Sequence, residues 1–168
     1  MTTFGPDAAR RCASPSEDDV TERAHADAVG PGAARLVSPV PPSRLDDVMA
    51  LFAQAWWTRT RERAKVAAIL ASAQPTIGVL SPEGALVAFV RALTDFESKA
   101  VIVDLIVDEP LRGTGLGRRL VQAVLDDPAL ARVNDFELYC DEDLVPYYAS
   151  QGFRQPARTR FMRRSPTD

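Results

Sequence analysis

The stretch AVIVDLIVDEPLRGTGLG, residues 100–117, decides the fold of this chain. Residues 100–107 form a continuous apolar, mostly β-branched run with one acid, Asp104, which predicts a strand covered on both faces. The run then enters a turn that holds three glycines, Gly113, Gly115 and Gly117. An apolar pattern of helical period follows as far as Asp126. We therefore expect a central strand, a glycine-rich loop and a helix in direct succession.

The glycine-rich loop predicts an anion site. The first turn of a helix presents N–H groups without intrahelical acceptors and the positive end of the helix dipole. Glycines have no side chain to block an approaching anion, and Arg112 adds a positive charge at the edge of the loop, so a phosphate group would fit. A Walker loop would need lysine, and a dinucleotide fingerprint would need glycine, where this chain has Arg118. A tight turn that binds nothing stays open as the alternative.

Composition points to a single globular domain. The chain has 168 residues, of which 46% are hydrophobic and 26% are charged, close to globular averages. The net charge of −3 lacks the basic balance of a nucleic-acid-binding protein, and no apolar run reaches the ~18 residues of a membrane helix. Two cysteines and one histidine exclude a disulfide framework and a His-rich metal site. We expect no metal, no nucleic acid or membrane partner, and a cytoplasmic location.

The order of predicted elements indicates the fold class. Residues 1–33 are rich in Ala, Asp, Pro, Gly and Ser, which predicts a disordered extension before a folded domain over residues 34–168. Expected strands are residues 34–37, 76–80, 85–93, 100–107, 135–140 and 159–163; expected helices are 43–56, 61–73, 144–151 and one from the glycine loop to residue 126. A hairpin followed by a β-α-β unit predicts an α+β fold, with a mixed sheet and helices on both faces.

The segment LVPYYASQGF, residues 144–153, carries two neighbouring tyrosines. Taken alone, they are typical of half-buried packing. Residues 103–117, with Arg-x-x-Gly-x-Gly from Arg112, resemble motif A of the GNAT superfamily of acetyl-CoA-dependent N-acetyltransferases, and Tyr-x-x-x-Gly-Phe from Tyr148 resembles its motif B. The resemblance spans about residues 45–163. Residues 91–95 and 103–108 look like the small plastid and bacterial members that include serotonin and lysine acetyltransferases.

This resemblance implies the GNAT fold, a mixed, mostly antiparallel sheet whose parallel central pair of strands splays apart. It also implies direct transfer of an acetyl group from acetyl-CoA, the co-substrate, to a primary amine in a ternary complex. Pantetheine would lie in the gap between the splayed strands, and the pyrophosphate would lie on the loop amides. The residues expected to bind acetyl-CoA are Leu105, Ile106, Val107, Arg112, Gly113, Thr114, Gly115, Leu116 and Gly117.

Two residues are candidates for catalysis. The resemblance assigns Tyr148 as proton donor to the CoA thiolate, and a phenol with a pKa of about 10 is protonated at neutral pH. Asp104 is the candidate base for the amine, directly or through water, and we expect its apolar strand to raise its pKa. A carboxylate that stabilises a bulge or pairs with an arginine such as Arg91 is the alternative. We expect Tyr147 to be packing, and Cys140 to be a buried thiol rather than an acyl carrier.

The acceptor site is weakly encoded. The resemblance places it between the first two helices and the hairpin loops, with Arg91, Trp56 and Phe96 as candidates, although Trp56 also fits the core face of its helix. A solvated face is expected for Arg59, Arg61 and Arg63. The acceptor would be a small-molecule or protein amine, and edge strands allow a homodimer. Two other functions stay open, a non-catalytic acyl-CoA-binding sensor or interaction module and a nucleotide-dependent enzyme.

Overall fold

Five strands form one sheet in the computed structural model, which describes residues 34–158 and 160–164. They lie in chain order: β1 (Arg35–Val37), β2 (Thr76–Leu80), β3 (Leu86–Thr94), β4 (Lys99–Val107) and β5 (Asp135–Leu138). Neighbouring strands are antiparallel except β4 and β5, which are parallel. The mixed, mostly antiparallel sheet is therefore confirmed. The extension predicted for residues 1–33 lies outside the described residues.

Within the described residues the chain forms four α-helices. They are α1 (Leu45–Phe52), α2 (Arg63–Leu70), α3 (Leu116–Leu125) and α4 (Val145–Ala149). None of the helices in this part of the chain is long and apolar enough to cross a membrane.

Two hydrophobic cores lie on opposite faces of the sheet. The α3 core packs Val121 of α3 against Val90 and other β-strand residues. The α1–α2 core packs Phe52 and Val66 against Phe89, with the Phe52 and Phe89 rings edge to face at 5.6 Å. Side chains alternate along β3, so Phe89 and Val90 face different helices. Helices on both faces, as predicted, are confirmed.

A bulge interrupts β4. The strand pairs with β3 on both sides of it, Val103 with Arg91 and Ile106 with Phe89. One residue of β3 therefore faces two of β4, and the alternation of side chains along β4 reverses there. Asp104 is the first bulged residue and has a φ of 55°. As a result β4 contributes to the α3 core before the bulge, and through Ile106 to the α1–α2 core after it.

β4 and β5 separate halfway along β4. Their pairing runs from Lys99 with Asp135 to Ile102 with Leu138, where β5 ends. β4 continues to Val107. Among the described residues, the edge of β4 from 103 to 107 thus has no strand beside it on the β5 side. This gap is the splayed parallel pair that the resemblance implied.

Two predicted elements differ most from the structure, while the ends of the others are displaced by at most three residues. α1 ends at Phe52 rather than near residue 56, and the Thr58 hydroxyl folds back to donate to the Phe52 carbonyl at 2.8 Å. The last predicted strand is absent over residues 160–164, and Thr159 lies outside the described residues. Phe161 and Met162 are both exposed. Adjacent residues of a strand face opposite sides, so pairing with the sheet could have buried only one of them.

Candidate active site

The glycine-rich loop turns the end of β4 into α3. Gly113 and Gly115 have φ angles of 78° and 93°, a conformation that residues with a Cβ rarely adopt. Gly115 is the N-cap of α3. Nothing lies within 4 Å of the position that a Cβ would take on either glycine. The outer surface of the loop is therefore open.

Unpaired amides line this surface. Within the described chain, the N–H groups of Gly113 and of residues 115–118 donate to no protein acceptor, and the first intrahelical bond of α3 comes from Arg119. Thr114 differs, because both its amide and its hydroxyl donate to the Leu111 carbonyl, at 3.4 and 2.6 Å. Unpaired amides at the positive end of a helix suit a phosphate-type anion.

The second half of β4 presents backbone groups to the gap. The Asp108 amide donates to a β3 carbonyl at 2.9 Å, so Ile106 also directs its backbone toward β3. Leu105 and Val107 therefore direct theirs toward the gap. The Val107 carbonyl accepts from Nε of Arg112 at 3.2 Å, which fixes that guanidinium beside the glycine-rich loop. Of the three β4 residues expected to bind acetyl-CoA, Ile106 directs its backbone toward β3 instead.

α4 carries Tyr148 into the α3 core, where its ring meets Phe153 edge-on with centroids 6.0 Å apart. Burial disfavours the phenolate and, with Tyr147 and Cys140 nearby, raises the pKa of Tyr148 to about 12. The hydroxyl has no hydrogen-bond partner among the described residues. Every fully buried side-chain oxygen or nitrogen among these residues does have a partner. The hydroxyl therefore reaches open space, and it is protonated at neutral pH.

Tyr147 connects α4 with the glycine-rich loop. Its hydroxyl oxygen lies 2.8 Å from the position that a Cβ on Gly117 would take, and Cγ2 of Val107 lies 3.8 Å from the same position. The Tyr147 and Tyr148 rings pack edge to face at 4.9 Å. Tyr147 therefore packs, as expected, but its hydroxyl also reaches the start of α3. The sequence held no signal for this contact, because a pair of tyrosines does not tell which neighbour each ring meets.

Two arginines hold Asp104. Nη1 and Nη2 of Arg61 donate to its Oδ2 and Oδ1 at 2.6 and 3.1 Å, and Nε of Arg91 donates to Oδ2 at 2.5 Å. The Asp104 side chain is 5% exposed. Burial acts to raise the pKa of Asp104, but the hydrogen bonds from Arg61 and Arg91 outweigh it and hold the pKa below its ordinary value. The predicted raised pKa is wrong, and the bulge and arginine pairing named as the alternative are both present.

The expectation that Arg61 lies on a solvated face is also wrong. Arg61 precedes α2, and its side chain is 22% exposed, with Cζ 5.0 Å above the centroid of the Phe52 ring. Arg63 does stay at the surface, paired with the exposed Asp46. The sequence could not separate Arg61 from Arg63, because the partner of Arg61 lies 43 residues away.

Gln54 links the α1–α2 loop to the residues that lead into the glycine-rich loop. Its Nε2 donates to Oδ1 of Asp108 at 2.8 Å, and its Oε1 accepts from the Glu109 amide at 2.9 Å. Asp108 follows the last residue of β4. Sequence reasoning missed Gln54, since a glutamine after a helix carries no pattern of its own.

Trp56 lies in the α1–α2 loop and is 66% exposed. Its ring packs edge to face with that of Trp57, with centroids 5.7 Å apart. The interpretation of Trp56 as a core residue is wrong, because α1 ends before it. The loop therefore presents two neighbouring apolar rings at the surface.

Phe96 lies away from the other acceptor candidates. It sits in the loop between β3 and β4, with a φ of 62°, and packs against the α3 core, whereas α1 and α2 cover the opposite face. Five residues of strand separate the start of β4 from Asp104, about 16 Å at ~3.3 Å per residue. The structure brings Arg91 to Asp104 and does not bring Phe96 to either.

Cys140 is exposed, which contradicts the expected buried thiol. Partial desolvation and the carboxylates of Asp141 and Asp143 raise the pKa of its thiol. A raised pKa reduces the thiolate fraction, so this environment does not favour an acyl-cysteine route.

Residues 44–153 match the family profile described as Acetyltransferase (GNAT) family. The chain belongs to the GNAT family. The match runs from the residue before α1 through the glycine-rich loop to Phe153, so it includes both segments that carry the resemblance. The predicted family and fold are confirmed.

This member of the GNAT family is similar to curated relatives over part of their length. It is 27% identical over 101 residues to the N-acetyltransferase ycf52 of Pyropia yezoensis, covering 58% of this chain and 57% of that protein. It is 34% identical over 73 residues to the chloroplastic serotonin N-acetyltransferase 2 of Oryza sativa subsp. japonica, covering 44% and 36%. The predicted resemblance to plastid members is confirmed. The matches span less than two thirds of either relative.

A solved structure shares the fold. A GNAT-family acetyltransferase from Xanthomonas campestris pv. campestris superposes with a TM-score of 0.70 at 24% identity, covering 82% of this chain and 96% of that one. At this identity the match concerns the fold alone.

Proposed function

We propose that this GNAT protein transfers an acetyl group from acetyl-CoA to a primary amine by direct attack in a ternary complex. The observation that carries the proposal is a set of unpaired amides at the start of α3, next to a free edge of β4. Tyr148 packs in the same core as Leu105 and Val107 of that edge. The family supports the identity of the acetyl donor.

Each part of acetyl-CoA has a complementary surface in this proposal. The pyrophosphate binds the unpaired amides of Gly113 and residues 115–117, with Arg112 adding a positive charge. Pantetheine amides pair with the backbone of Leu105 and Val107 across the gap. The thioester then lies near the bulge, where a β4 N–H polarises its carbonyl oxygen.

The transfer exchanges one bond for another. The amine nitrogen attacks the thioester carbon and forms the C–N bond, and the C–S bond breaks with its electron pair on sulfur. The Tyr148 hydroxyl donates its proton to that sulfur and regains one from the amine by way of water. A pKa of about 12 keeps this hydroxyl protonated before each turnover.

Asp104 acts here as the anchor of Arg61 and Arg91. A carboxylate whose pKa lies below its ordinary value is a weak base, and both of its oxygens already accept from guanidinium groups. The amine proton leaves to water instead. The assignment of Asp104 as the base remains the competing hypothesis.

Release of CoA thiol tests the proposal. Acetyl-CoA and a panel of primary amines are incubated with the protein, and thiol release and acetylated product are followed together. We expect both to require protein and amine. Gly115→Ala should raise the KM for acetyl-CoA, while Gly84→Ala serves as the matched control. Gly84 also has a positive φ, 86°, with nothing near its Cβ position, but it lies in the β2–β3 turn. An equal KM for both variants would contradict the proposed site.

A non-catalytic acyl-CoA-binding module is the second candidate. The observation that favours it is the full engagement of Asp104 by two arginines, which leaves no free carboxylate at the bulge. Such a module would be stabilised against heat by acetyl-CoA and would release no thiol with any amine. Stabilisation by ATP or NAD without any by acetyl-CoA would instead favour a nucleotide-dependent enzyme.

A further inference from the structure

Arg61, Arg91 and Asp104, called the arginine cluster below, carry excess positive charge. Two guanidinium groups face one carboxylate, and the pKa of that carboxylate is lowered, so it stays ionised at neutral pH. One positive charge is therefore uncompensated within the cluster. Because the side chains are largely buried, this charge is screened less than one at the surface would be.

Neighbouring acids do not supply the missing negative charge. No acid occurs between Ala53 and Arg61. Three acids around this loop are paired with cations of their own: Asp46 with Arg63, Asp47 with Arg44, and Glu62 with Lys65. Asp108 is bound by the neutral Gln54 and keeps its charge, but it lies four residues along the chain from Asp104, about 13 Å at ~3.3 Å per residue. The excess charge of the arginine cluster is thus available to a ligand.

Arg91 has unused donors. Its Nε donates to Asp104, and within the described residues its two terminal nitrogens donate to nothing. The Arg91 side chain is 13% exposed. Every fully buried polar side-chain atom among the described residues has a hydrogen-bond partner, so these unpaired nitrogens are accessible to solvent. Both terminal nitrogens of Arg61, in contrast, are engaged by Asp104.

The arginine cluster lies where the gap opens. Arg91 pairs in register with Val103, the first residue of β4 beyond its last pair with β5. Asp104 is the next residue along β4. A group bound to Arg91 would therefore lie beside the part of the gap that the proposed function gives to the thioester.

We propose that the acceptor amine carries a carboxylate, and that this carboxylate binds the terminal nitrogens of Arg91 in the arginine cluster. The inference rests on the proposed function and names its substrate class. A planar guanidinium matches a carboxylate with two parallel hydrogen bonds. The same positive charge repels an ammonium group without a carboxylate. Serotonin, after which the rice relative is named, is an amine of that second kind.

Matched acceptors test this. Phenylalanine, phenylalaninamide and phenethylamine share a ring and an amine. Leucine, leucinamide and isoamylamine share a branched alkyl chain and an amine. The amide has no negative charge and lowers the pKa of the amine further than the carboxylate does, so a larger share of it is free amine at neutral pH and a preference for the acid cannot come from amine basicity. We expect kcat/KM for the acids to exceed that for the amides and plain amines by about tenfold or more. Equal values, or a preference for the compounds without a carboxylate, would overturn the inference and leave the proposed function standing.

Two variants place the effect at Arg91. Arg91→Gln should bring the ratio of acid to amide close to one, and Arg91→Lys should retain part of it. Arg59→Gln removes an exposed arginine of the same loop and should leave the ratio unchanged. A ratio that survives in Arg91→Gln, measured on variant protein that unfolds cooperatively, would overturn the assignment.

If no member of the panel is acetylated, binding of the acetylated products tests the inference instead. N-acetylphenylalanine should then stabilise the CoA-loaded protein against heat more than N-acetylphenylalaninamide does. Equal stabilisation by the two products would overturn the inference. Absence of acetyl-CoA binding would contradict the proposed function itself.

Discussion

The hydroxyl oxygen of Tyr147 lies 2.8 Å from the position that a Cβ on Gly117 would occupy, so the absence of a side chain on Gly117 lets α4 reach the start of α3. This contact joins the glycine-rich loop to the helix that carries Tyr148. The two segments on which the family resemblance depends are therefore in direct contact, although about thirty residues separate them in the sequence.

Gly117→Ala tests this contact. Alanine stabilises a helix interior by about 1 kcal/mol over glycine and its first turn, where Gly117 lies, by less, whereas here its Cβ would displace the Tyr147 hydroxyl at a cost of about 1–3 kcal/mol. We expect Gly117→Ala to lower the free energy of unfolding in urea. In a Tyr147→Phe background the obstructing oxygen is gone, and the next ring atom lies 3.8 Å away, so the same change should stabilise. Additive effects of the two substitutions would contradict the contact.

Tyr148→Phe should lower kcat by about tenfold or more, because it removes the hydroxyl that donates to the leaving sulfur. The KM for acetyl-CoA should stay within about twofold, since the ring and its packing remain. Tyr139→Phe is the control, because Tyr139 is exposed beside Phe161. Steady-state kinetics of thiol release measures both. Retention of full kcat in Tyr148→Phe would remove Tyr148 from the mechanism.

Stability at high pH should report on the burial of Tyr148. Its folded pKa is about 12, above the ordinary value of 10.0, so the folded state favours the neutral phenol. The contribution is complete below pH 10 and is lost as the pH rises toward 12, a fall of about 2–3 kcal/mol. A comparison of urea unfolding of the wild-type protein and Tyr148→Phe between pH 9 and 12 isolates the contribution of Tyr148, because the other groups titrate in both proteins. Parallel curves would mean that the phenol titrates normally.

The Asp104→Asn variant distinguishes the two roles considered for Asp104, the anchor of Arg61 and Arg91 and the general base for the amine. Asparagine tolerates the positive φ of this position, so the change mainly removes charge between two arginines and should cost about 3 kcal/mol of unfolding free energy. If Asp104 is an anchor, folded variant protein should keep kcat within about tenfold. If Asp104 is instead the base, kcat should fall by about a hundredfold or more, at the same cost in stability, because the ion pairs are lost in either case. Asp46→Asn, which removes a fully exposed partner of Arg63, should leave the unfolding midpoint unchanged.

Local pattern was enough to predict the elements that carry the site. β4 could be predicted because a continuous β-branched run needs cover on both faces, and the start of α3 because Gly113 and Gly115 must take positive φ angles. The short helix around Tyr148 followed from its glycine stop at Gly152, which has a φ of 93°. Each of these signals lies within a few residues of the feature it predicts.

Contacts between distant segments could not be predicted in the same way. The pKa of Asp104 depends on Arg61, which lies 43 residues earlier in the loop before α2, and a carboxylate in an apolar run gives no sign of such a partner. The bulge at Asp104 reverses the alternation of β4, so the face taken by Ile106 depends on pairing with β3. Trp56 matches the core face of α1 only if that helix continues, and a back-folded hydroxyl of Thr58 accompanies its end at Phe52.

The Gln54 contact makes a prediction about cofactor binding. Gln54→Leu removes two hydrogen bonds that hold Asp108 and Glu109, the residues leading into the glycine-rich loop. At about 1 kcal/mol each, their loss should raise the KM for acetyl-CoA by up to about thirtyfold, because the loop must then be ordered on binding. Gln74→Leu is the matched control. Gln74 also makes two hydrogen bonds, both with the backbone of Thr94 at 2.7 and 3.3 Å, and Thr94 is the last residue of β3. It should cost comparable stability and leave this KM unchanged. A KM that rises equally in both variants would mean that general destabilisation, rather than the position of the loop, accounts for the effect.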